Sequence, residues 1–356
     1  MSILDLYRSD EGRTQLSELL VFAEQNHPDG LTAPFLEKDL WVTELLNILF
    51  GPEGLLGGTR VAFKGGTALS KRWRAIERFS EDIDLSVHWF ELCPDDLEEE
   101  EVWEATTRSG AQIKRFRKEQ GPRLEEWSKD LVQRLAERLS EYDIADLRAE
   151  LLPDSGGGKV QVHFPAVAAL EGHYQLDYVL LEFGARNRGE PTAPSELNTY
   201  MSEVEELSAQ MVFPVADGVK VFDEGYIIWE KLTALHQFCT QERIPDAARL
   251  ARHWYDVDCL IQKGIVDPLE HPKAMNDVIE MKSCRWAAKG VDYTLASKGE
   301  ILLVPQGELL DSLRQDQTEM VDAGMYTNAP DDFDKIMERV AALQERINQA
   351  HTPTQD

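Results

Sequence analysis

The sequence is poor in cysteine and has no long apolar run. Its cysteines, Cys93, Cys239, Cys259 and Cys284, are far apart, form no CxxC pair and show no metal-binding spacing, which argues against a disulfide framework or a cysteine-based zinc site. No stretch approaches the roughly 20 apolar residues of a membrane span. The first residues lack the basic region and apolar core of a signal peptide. We therefore expect a soluble, cytoplasmic protein with reduced, buried thiols.

Positive charge is also scarce. The chain has 37 basic and 65 acidic residues, a formal net charge of −28, which argues against a general nucleic-acid coat protein because phosphate binding needs a positive surface. The basic residues are unevenly distributed. Six lie between Arg60 and Arg78 with one acid, and nine lie between Arg108 and Arg138 with five acids. This distribution favours a focused anion-binding site over a broad basic face.

The hydrophobic pattern predicts helical ends and a mixed middle, without internal repeats. Residues Ile3–Gly51 predict two helices, and from Phe222 onward the pattern is mostly helical, with a last helix over Phe333–Ile347. We expect an α/β (α+β) fold with a small mixed sheet. The expected divisions are 1–50 for N-terminal helices packing on the core, 51–220 for the α/β domain, 221–350 for a helical domain and 351–356 for a frayed tail.

Individual elements follow from period-two alternation and from turn residues. A long charged helix is predicted over Trp103–Glu141, and a polar loop over Asn187–Pro194. The predicted strands are Val61–Phe63, Asp82–Val87, Ala149–Leu152, Lys159–Phe164 and Gln175–Gly184.

The most informative segment is Val61–Val87, VAFKGGTALSKRWRAIERFSEDIDLSV. A strand leads into a turn at Gly65-Gly66, and a helix begins near Thr67. Glycines let the backbone approach a ligand closely, and the free N–H groups and dipole of a helix N-terminus favour a phosphate. By itself, a Gly-Gly pair before a helix is more typical of a packing turn than of a phosphate site.

A pair of carboxylates follows this helix. Asp82 and Asp84 are two positions apart on a predicted strand, so their side chains point to the same face. Neighbouring carboxylates repel each other unless a cation lies between them, and hard oxygen ligands suit Mg²⁺. Such a pair alone is typical of the solvated face of a strand. The Gly-Gly turn, the basic helix and the carboxylates together favour a site for metal and phosphate.

These motifs resemble those of a known superfamily. GGT at 65–67 followed by DID at 82–84 resembles the active-site signature of the DNA polymerase β-like nucleotidyltransferases. More narrowly, KGGTALSK with RFSEDIDLS resembles the AbiEii/AbiGii toxin family, the toxin half of bacterial abortive-infection toxin–antitoxin pairs. Further similar segments follow the family's order over most of the chain: Glu37-Lys38-Asp39 in FLEKDLWVTELL, then VLLEFGARN, WEKLTALHQF, RHWYDVDCL and LLDSLRQDQTEMV.

The resemblance implies a nucleotidyltransferase-fold core and the transfer of a nucleotide from an NTP with Mg²⁺ or Mn²⁺. Asp82 and Asp84 would be catalytic and would bind the metal. A third metal-binding acid is expected on a neighbouring strand, where Asp177 and Glu182 have opposite parity and so face opposite ways; the family pattern favours Glu182. The nucleotide-binding residues implied are Lys64, Gly65, Gly66, Thr67, Ser80 and Lys231.

The resemblance also implies catalytic roles for Lys231 and Asp256 in the C-terminal half. A lysine in an amphipathic helix is typical of a surface residue whose stem packs on apolar neighbours, whereas the resemblance favours a contact with the triphosphate. Asp256 lies beside an apolar stripe and needs a partner, for which Lys231 or Arg252 would serve. His253 stands where some family members have an acid, so a hydrogen bond in the core and a substrate contact both stay open.

The acceptor is inferred only from the resemblance. Relatives are implicated in adding nucleotides to the 3′ end of tRNA, so an RNA acceptor is favoured, docked on the two basic segments, in a phage-defence toxin with a cognate antitoxin as a candidate partner. The alternatives are nucleotidylation of a protein or small molecule, self-phosphorylation, and a non-catalytic antitoxin-binding module. The Ser80 hydroxyl is a candidate for self-phosphorylation, although a hydrogen bond within the turn is equally compatible with its position.

Overall fold

The computed structural model describes residues 1–80, 82–94, 97–153, 155, 157–168 and 178–352. Their helices, in chain order, are α1 (Asp10–Asn26), α2 (Ala33–Phe50), α3 (Gly65–Trp73), α4 (Glu99–Thr107), α5 (Gly110–Ser140), α6 (Glu205–Ser208), α7 (Glu224–Thr240), α8 (Arg252–Gln262), α9 (Pro272–Cys284), α10 (Glu308–Asp322) and α11 (Phe333–His351). Their strands are β1 (Val61–Lys64), β2 (Ile83–Val87), β3 (Arg148–Leu151), β4 (Lys159–His163), β5 (Tyr178–Gly184), β6 (Thr192–Asn198) and β7 (Val215–Phe222).

The strands form one mixed sheet in the order β3-β4-β5-β2-β1-β7-β6, which counts seven strands among the described residues. Strand β2 pairs in parallel with β5, and β1 pairs in parallel with β7. The other neighbouring pairs are antiparallel. The predicted fold class, a mixed sheet with helices at both ends of the chain, is therefore confirmed.

Contacts between residues divide the chain into two compact units. The first comprises Met1–Arg72, Phe79–Glu99 and Phe116–Phe222 and holds the whole sheet. The second comprises Trp73–Arg78, Glu100–Arg115 and Asp223–Asp356. The two short segments of the second unit interrupt the first in sequence, and no composition change marks them. The limits expected at 50 and 220 stay predictions of domain boundaries.

Helix α2 forms part of the core of the first unit. It packs against α1, β5 and β7 and is buried on nearly every side, as expected of a largely apolar helix. Its buried acids have partners. Glu37 accepts hydrogen bonds from the Tyr7 hydroxyl and two backbone N–H groups, and Asp39 accepts from Lys71 Nζ at 2.5 Å and from the Tyr200 N–H at 2.7 Å. The Asp39–Lys71 ion pair thereby joins α2 to α3.

The helices of the second unit pack through α7, which contacts α8 and α9, and through α11, which contacts α8 and α10. The apolar stripe expected on the last helix is buried as expected, and its members are Phe333, Ile336, Met337, Val340, Leu343 and Ile347. The helix continues to His351, the first residue of the expected tail. Residues 353–356 of that tail lie outside the described part of the chain.

Three elements of the structure differ from what the sequence pattern predicts. The helix expected over Trp103–Glu141 is two helices, α4 and α5, because the Ser109 hydroxyl accepts a hydrogen bond from the Gln112 N–H and caps a new start. The loop expected over Asn187–Pro194 ends in β6, which begins at Thr192. Strand β7 is the third element, since the sequence pattern predicts no strand there.

The four cysteines are free, and Cys93 is buried while the others are partly buried. Burial raises the pKa of Cys239 to about 12 and that of Cys259 to about 11, which keeps both thiols protonated. Among the described residues, no helix combines the length and hydropathy that a membrane crossing needs.

Candidate active site

Strand β1 passes directly into helix α3, so the expected turn at Gly65-Gly66 is absent as a separate element and the helix begins at Gly65 rather than Thr67. Gly65 has a φ of +78°, and a Cβ added to it would lie 1.7 Å from Asp84 Oδ2. The junction therefore requires glycine for its backbone conformation and for the space that the carboxylate occupies.

Four charged side chains form a row across four adjacent strands of the first unit. In the strand register, Lys64 of β1 pairs with Asp84 of β2, Asp84 pairs with Glu182 of β5, and Glu182 pairs with Lys159 of β4. Residues paired directly across neighbouring strands project from the same face of a sheet. The face beside Gly65 thus carries two carboxylates flanked by two ammonium groups.

The register decides which acid lies beside Asp84. Glu182 is directly opposite Asp84, and Asp82 lies two positions before Asp84 at the entrance to β2. The competing Asp177 is outside the described residues. Carboxylate oxygens are the hard donors that Mg²⁺ or Mn²⁺ takes, and repulsion among neighbouring carboxylates favours a bound cation. The donor set therefore fits a divalent metal.

Two hydroxyls lie beside the junction. Thr67 Oγ1 is 3.1 Å from Ser80 Oγ, and Thr67 is buried in the first turn of α3. This contact joins the start of α3 to the segment that leads into β2. The Ser80 hydroxyl therefore has a hydrogen-bond partner close to the carboxylates.

Lys231 and Asp256 belong to the second unit, where they contact each other. Lys231 Nζ lies 2.9 Å from Asp256 Oδ2. The buried Arg78 donates from Nε to Oδ1 and from Nη2 to Oδ2 of the same carboxylate, both at 2.8 Å. The expected partnership of Asp256 with Lys231 is therefore present, and Arg78 fills the role for which Arg252 was the alternative.

The charges around Asp256 determine its ionisation. Burial alone would raise the pKa of Asp256, but Arg78 and Lys231 outweigh burial and hold that pKa well below its usual range. His253 behaves differently, because burial and the charge of Lys231 lower its pKa to about 3. Its ring packs 5.7 Å from that of Phe238. His253 is thus a neutral packed side chain near pH 7.

A second group of possible metal ligands lies elsewhere in the first unit. Nitrogen and oxygen atoms of His27, Asp29 and Glu203 lie within 4.8 Å of one another. However, His27 Nδ1 accepts the Asp29 N–H at 3.1 Å, so Nε2 carries the proton and faces the Tyr200 carbonyl at 3.1 Å. Neither ring nitrogen offers a lone pair to a metal, and this cluster does not fit one.

Sequence reasoning assigns no site role to two charged residues of these clusters. Arg78 is 178 positions from Asp256, and its nearness to the carboxylate motif was the only signal. Lys159 pairs with Glu182 through a strand register that alternation alone does not determine. Both assignments depend on long-range pairing.

Comparison with family models identifies the class of protein to which the chain belongs. A model of the family described as "Nucleotidyl transferase AbiEii toxin, Type IV TA system" matches residues 55–339. The chain therefore belongs to the AbiEii nucleotidyltransferase toxin family, and it is a nucleotidyltransferase.

Comparison with solved structures finds similarity to MenT4, a nucleotidyltransferase toxin from Mycobacterium tuberculosis. The two chains are 17% identical, and the match covers 96% of this chain and 99% of that one with a TM-score of 0.43. No curated protein sequence matched the chain.

Proposed function

We propose that Asp82, Asp84 and Glu182 hold Mg²⁺ or Mn²⁺ and that nucleotidyl transfer takes place on this face of the sheet. The observation that supports this most directly is the register that pairs Asp84 with Glu182. Gly65 lies beside this pair, and a Cβ at that position would overlap the Asp84 carboxylate. When bound, divalent metal would stabilise the attacking and leaving oxygens of the transfer.

The reaction class sets the roles of the surrounding residues. An acceptor hydroxyl attacks the α-phosphate of an NTP, a new P–O bond forms, and pyrophosphate leaves. Backbone N–H groups at Gly65, Gly66 and Thr67 would bind phosphate oxygens, since the first N–H groups of a helix have no partner within the helix. Lys64 on the carboxylate face would add a positive charge, and Ser80 a hydrogen-bond donor.

Lys231 and Asp256 are proposed as further catalytic residues on the strength of the family resemblance. A fixed ammonium stabilises the charge that develops on a triphosphate. Asp256 would position Lys231 through their 2.9 Å ion pair, and the second cation, Arg78, keeps that carboxylate ionised.

For the acceptor we propose RNA, with the 3′ end of tRNA as the favoured site. The structure limits the surface on which it would dock, because most cations of the two basic segments form ion pairs within the protein. Along α5, Arg123, Lys129 and Arg134 pair with acids four positions earlier. Arg60 pairs with Glu91 and with a second glutamate of the first unit.

The RNA acceptor is tested by salt dependence. Binding of purified tRNA should weaken steeply as salt rises, because each phosphate contact releases counterions. If the protein does not bind tRNA, or binds it with an affinity that does not change with salt, the RNA acceptor is rejected. Incubation with each labelled NTP and a cell extract then separates the alternatives, since label would appear in RNA, in another protein or small molecule, or on the protein itself at a group such as Ser80.

The family consists of toxins of type IV toxin–antitoxin systems. Membership in it implies that a cognate antitoxin exists. We propose that this toxin acts in the cytoplasm and serves phage defence. Expression of the wild type should arrest growth, and Asp84→Ala should relieve the arrest. If the wild type and Asp84→Ala arrest growth equally, toxicity does not depend on nucleotidyl transfer at this site.

Nucleotide binding can be measured without an acceptor. Mg²⁺ with the correct NTP should raise the melting temperature of the wild type, because a ligand that binds only the folded state stabilises it by about 2.7 kcal/mol at a hundred times its Kd. Asp82→Ala should lose most of this gain. An equal gain in both proteins would place the nucleotide elsewhere, and no gain at millimolar nucleotide would favour a non-catalytic module.

A further inference from the structure

Lys159 occupies a position that the proposed reaction does not explain. It is the first residue of β4 and lies opposite Glu182 in the antiparallel register of β4 and β5. Its ammonium forms a close ion pair with the Glu182 carboxylate. Lys159 therefore lies at one end of the row of charged residues and Lys64 at the other, and Lys159 contacts one of the proposed metal ligands.

The influence of Lys159 extends beyond Glu182. The charges of Asp82 and Asp84 also attract its ammonium. The ammonium is thus stabilised by all three carboxylates. It supplies part of the positive charge that three neighbouring carboxylates require.

The Lys159 side chain is also partly exposed to solvent. It is 45% exposed, and the Glu182 side chain is 33% exposed. A lysine carries its charge on a flexible four-carbon stem and is well hydrated in water. A divalent ion placed among the same carboxylates would repel this ammonium, so the two cations compete for Glu182.

We propose that Lys159 is the resident counter-cation of the carboxylate site and that a divalent metal must displace it from Glu182 to bind. This inference rests on the proposed metal site of Asp82, Asp84 and Glu182. In the metal-free protein Lys159 reduces the repulsion among the carboxylates, and in doing so it weakens the binding of metal.

The test is the binding of Mn²⁺ alone to the full-length protein, followed through the electron paramagnetic resonance signal of the free ion. Lys159→Met removes the charge and keeps the length of the stem. It should bind Mn²⁺ about fivefold more tightly than the wild type, the factor expected from removing a partly exposed ion pair. Lys159→Arg keeps a competing cation and should stay close to the wild type.

The matched control is Lys129→Met. Lys129 also forms a lysine–glutamate pair, with Glu125 at 2.8 Å, but on the exposed face of α5. The Lys129→Met substitution removes the same unit of charge from the protein, but away from the proposed metal ligands. The Mn²⁺ affinity of this variant should therefore equal that of the wild type. A second readout is melting in the presence of a chelator, where Lys159→Met should melt below both the wild type and Lys129→Met.

Two outcomes would overturn the proposal. Unchanged Mn²⁺ affinity in Lys159→Met would show that Lys159 does not compete, and weaker affinity would show that it orients Glu182 for the metal instead. Asp84→Asn distinguishes these results from failure of the metal site itself. If Asp84→Asn binds Mn²⁺ as well as the wild type does, the site assignment fails; if binding requires Asp84 but ignores Lys159, the counter-cation role alone fails.

Discussion

Arg78 and Asp256 form a buried, bidentate ion pair in the second unit, with Nε and Nη2 of the arginine each 2.8 Å from a different carboxylate oxygen. The segment Trp73–Arg78 ends at this arginine, and the chain returns to the first unit at Phe79. Lys231 shares the carboxylate. The Asp256 carboxylate thus contacts two cations, and a substitution that removes its charge would take away the partner that Arg78 and Lys231 share.

Asp256→Asn should therefore be strongly destabilising. Removing one partner of a buried ion pair typically costs about 3–5 kcal/mol, because the remaining charge stays buried without compensation. Chemical denaturation should show a loss of this size in the free energy of unfolding. The control is Asp334→Asn, which breaks the exposed pair of Asp334 with Arg314 and should cost far less, because solvent screens an exposed pair. Equal losses would mean that the Asp256 cluster contributes no more than a surface pair.

Lys231→Ala should lower the rate of nucleotidyl transfer by about 10²–10³, the usual cost of removing one group that stabilises transition-state charge. Lys231→Arg should restore only part of the rate, because a planar guanidinium does not replace a compact ammonium. The double variant with Asp256→Ala should be little slower than the slower single variant if the two residues act as a unit. Fully multiplicative losses in kcat/KM would show separate roles, and Lys335→Ala serves as the surface-lysine control.

Asp82→Ala and Asp84→Ala should each abolish transfer and toxicity while leaving the fold intact. Each substitution removes a proposed metal ligand and also relieves repulsion between carboxylates, so melting without metal should stay the same or rise slightly. Activity assays with Mg²⁺ and circular dichroism of the same samples check both statements. Variants that fail to fold would make these acids structural.

Gly65→Ala should disable the site through the backbone. The new Cβ would overlap Asp84 Oδ2, and the φ of +78° is strained for alanine. We expect a loss of at least tenfold in transfer and a destabilisation of about 1–3 kcal/mol. Gly58→Ala is the control, since a Cβ there would meet no atom within 4 Å. If the two variants behave alike, the close approach of Gly65 to Asp84 has no functional role.

His253 predicts a pH dependence of stability. Its pKa is about 3 in the folded protein and about 6.5 in an unfolded chain. Between these values the unfolded chain binds a proton that the folded protein does not, so His253 contributes stability above pH 6.5 that is lost as the pH falls. The slope is at most about 1.4 kcal/mol per pH unit.

Denaturation at pH 7 and at pH 5 measures this effect. His253→Gln should lose less stability than the wild type over this interval, because it has no proton to gain. His351→Gln, in the last turn of α11, is the matched control for exchanging a histidine for glutamine. Equal slopes in all three proteins would contradict the low pKa of His253.

The sequence by itself determined those features of the protein that depend on interactions between residues close together in the chain. The strand, the glycines and the carboxylate pair of Val61–Val87 could be recognised because alternation, backbone freedom and charge act over short distances. The same holds for the buried stripe of α11. The need of Asp256 for a cationic partner was also anticipated, because a carboxylate beside an apolar stripe requires one, but the choice between Lys231 and Arg252 was left open.

Tertiary structure alone decided what depends on distant pairing. Strand β6 carries a proline and mostly exposed residues, so it lacks a clear alternating pattern, and it becomes a strand by pairing with β7 at the edge of the sheet. The row from Lys64 to Lys159 depends on the register of four strands, in which a shift by one residue would turn the side chains to the other face. Arg78 meets Asp256 across 178 positions. Such contacts are fixed by the packing of whole elements, and no local pattern encodes them.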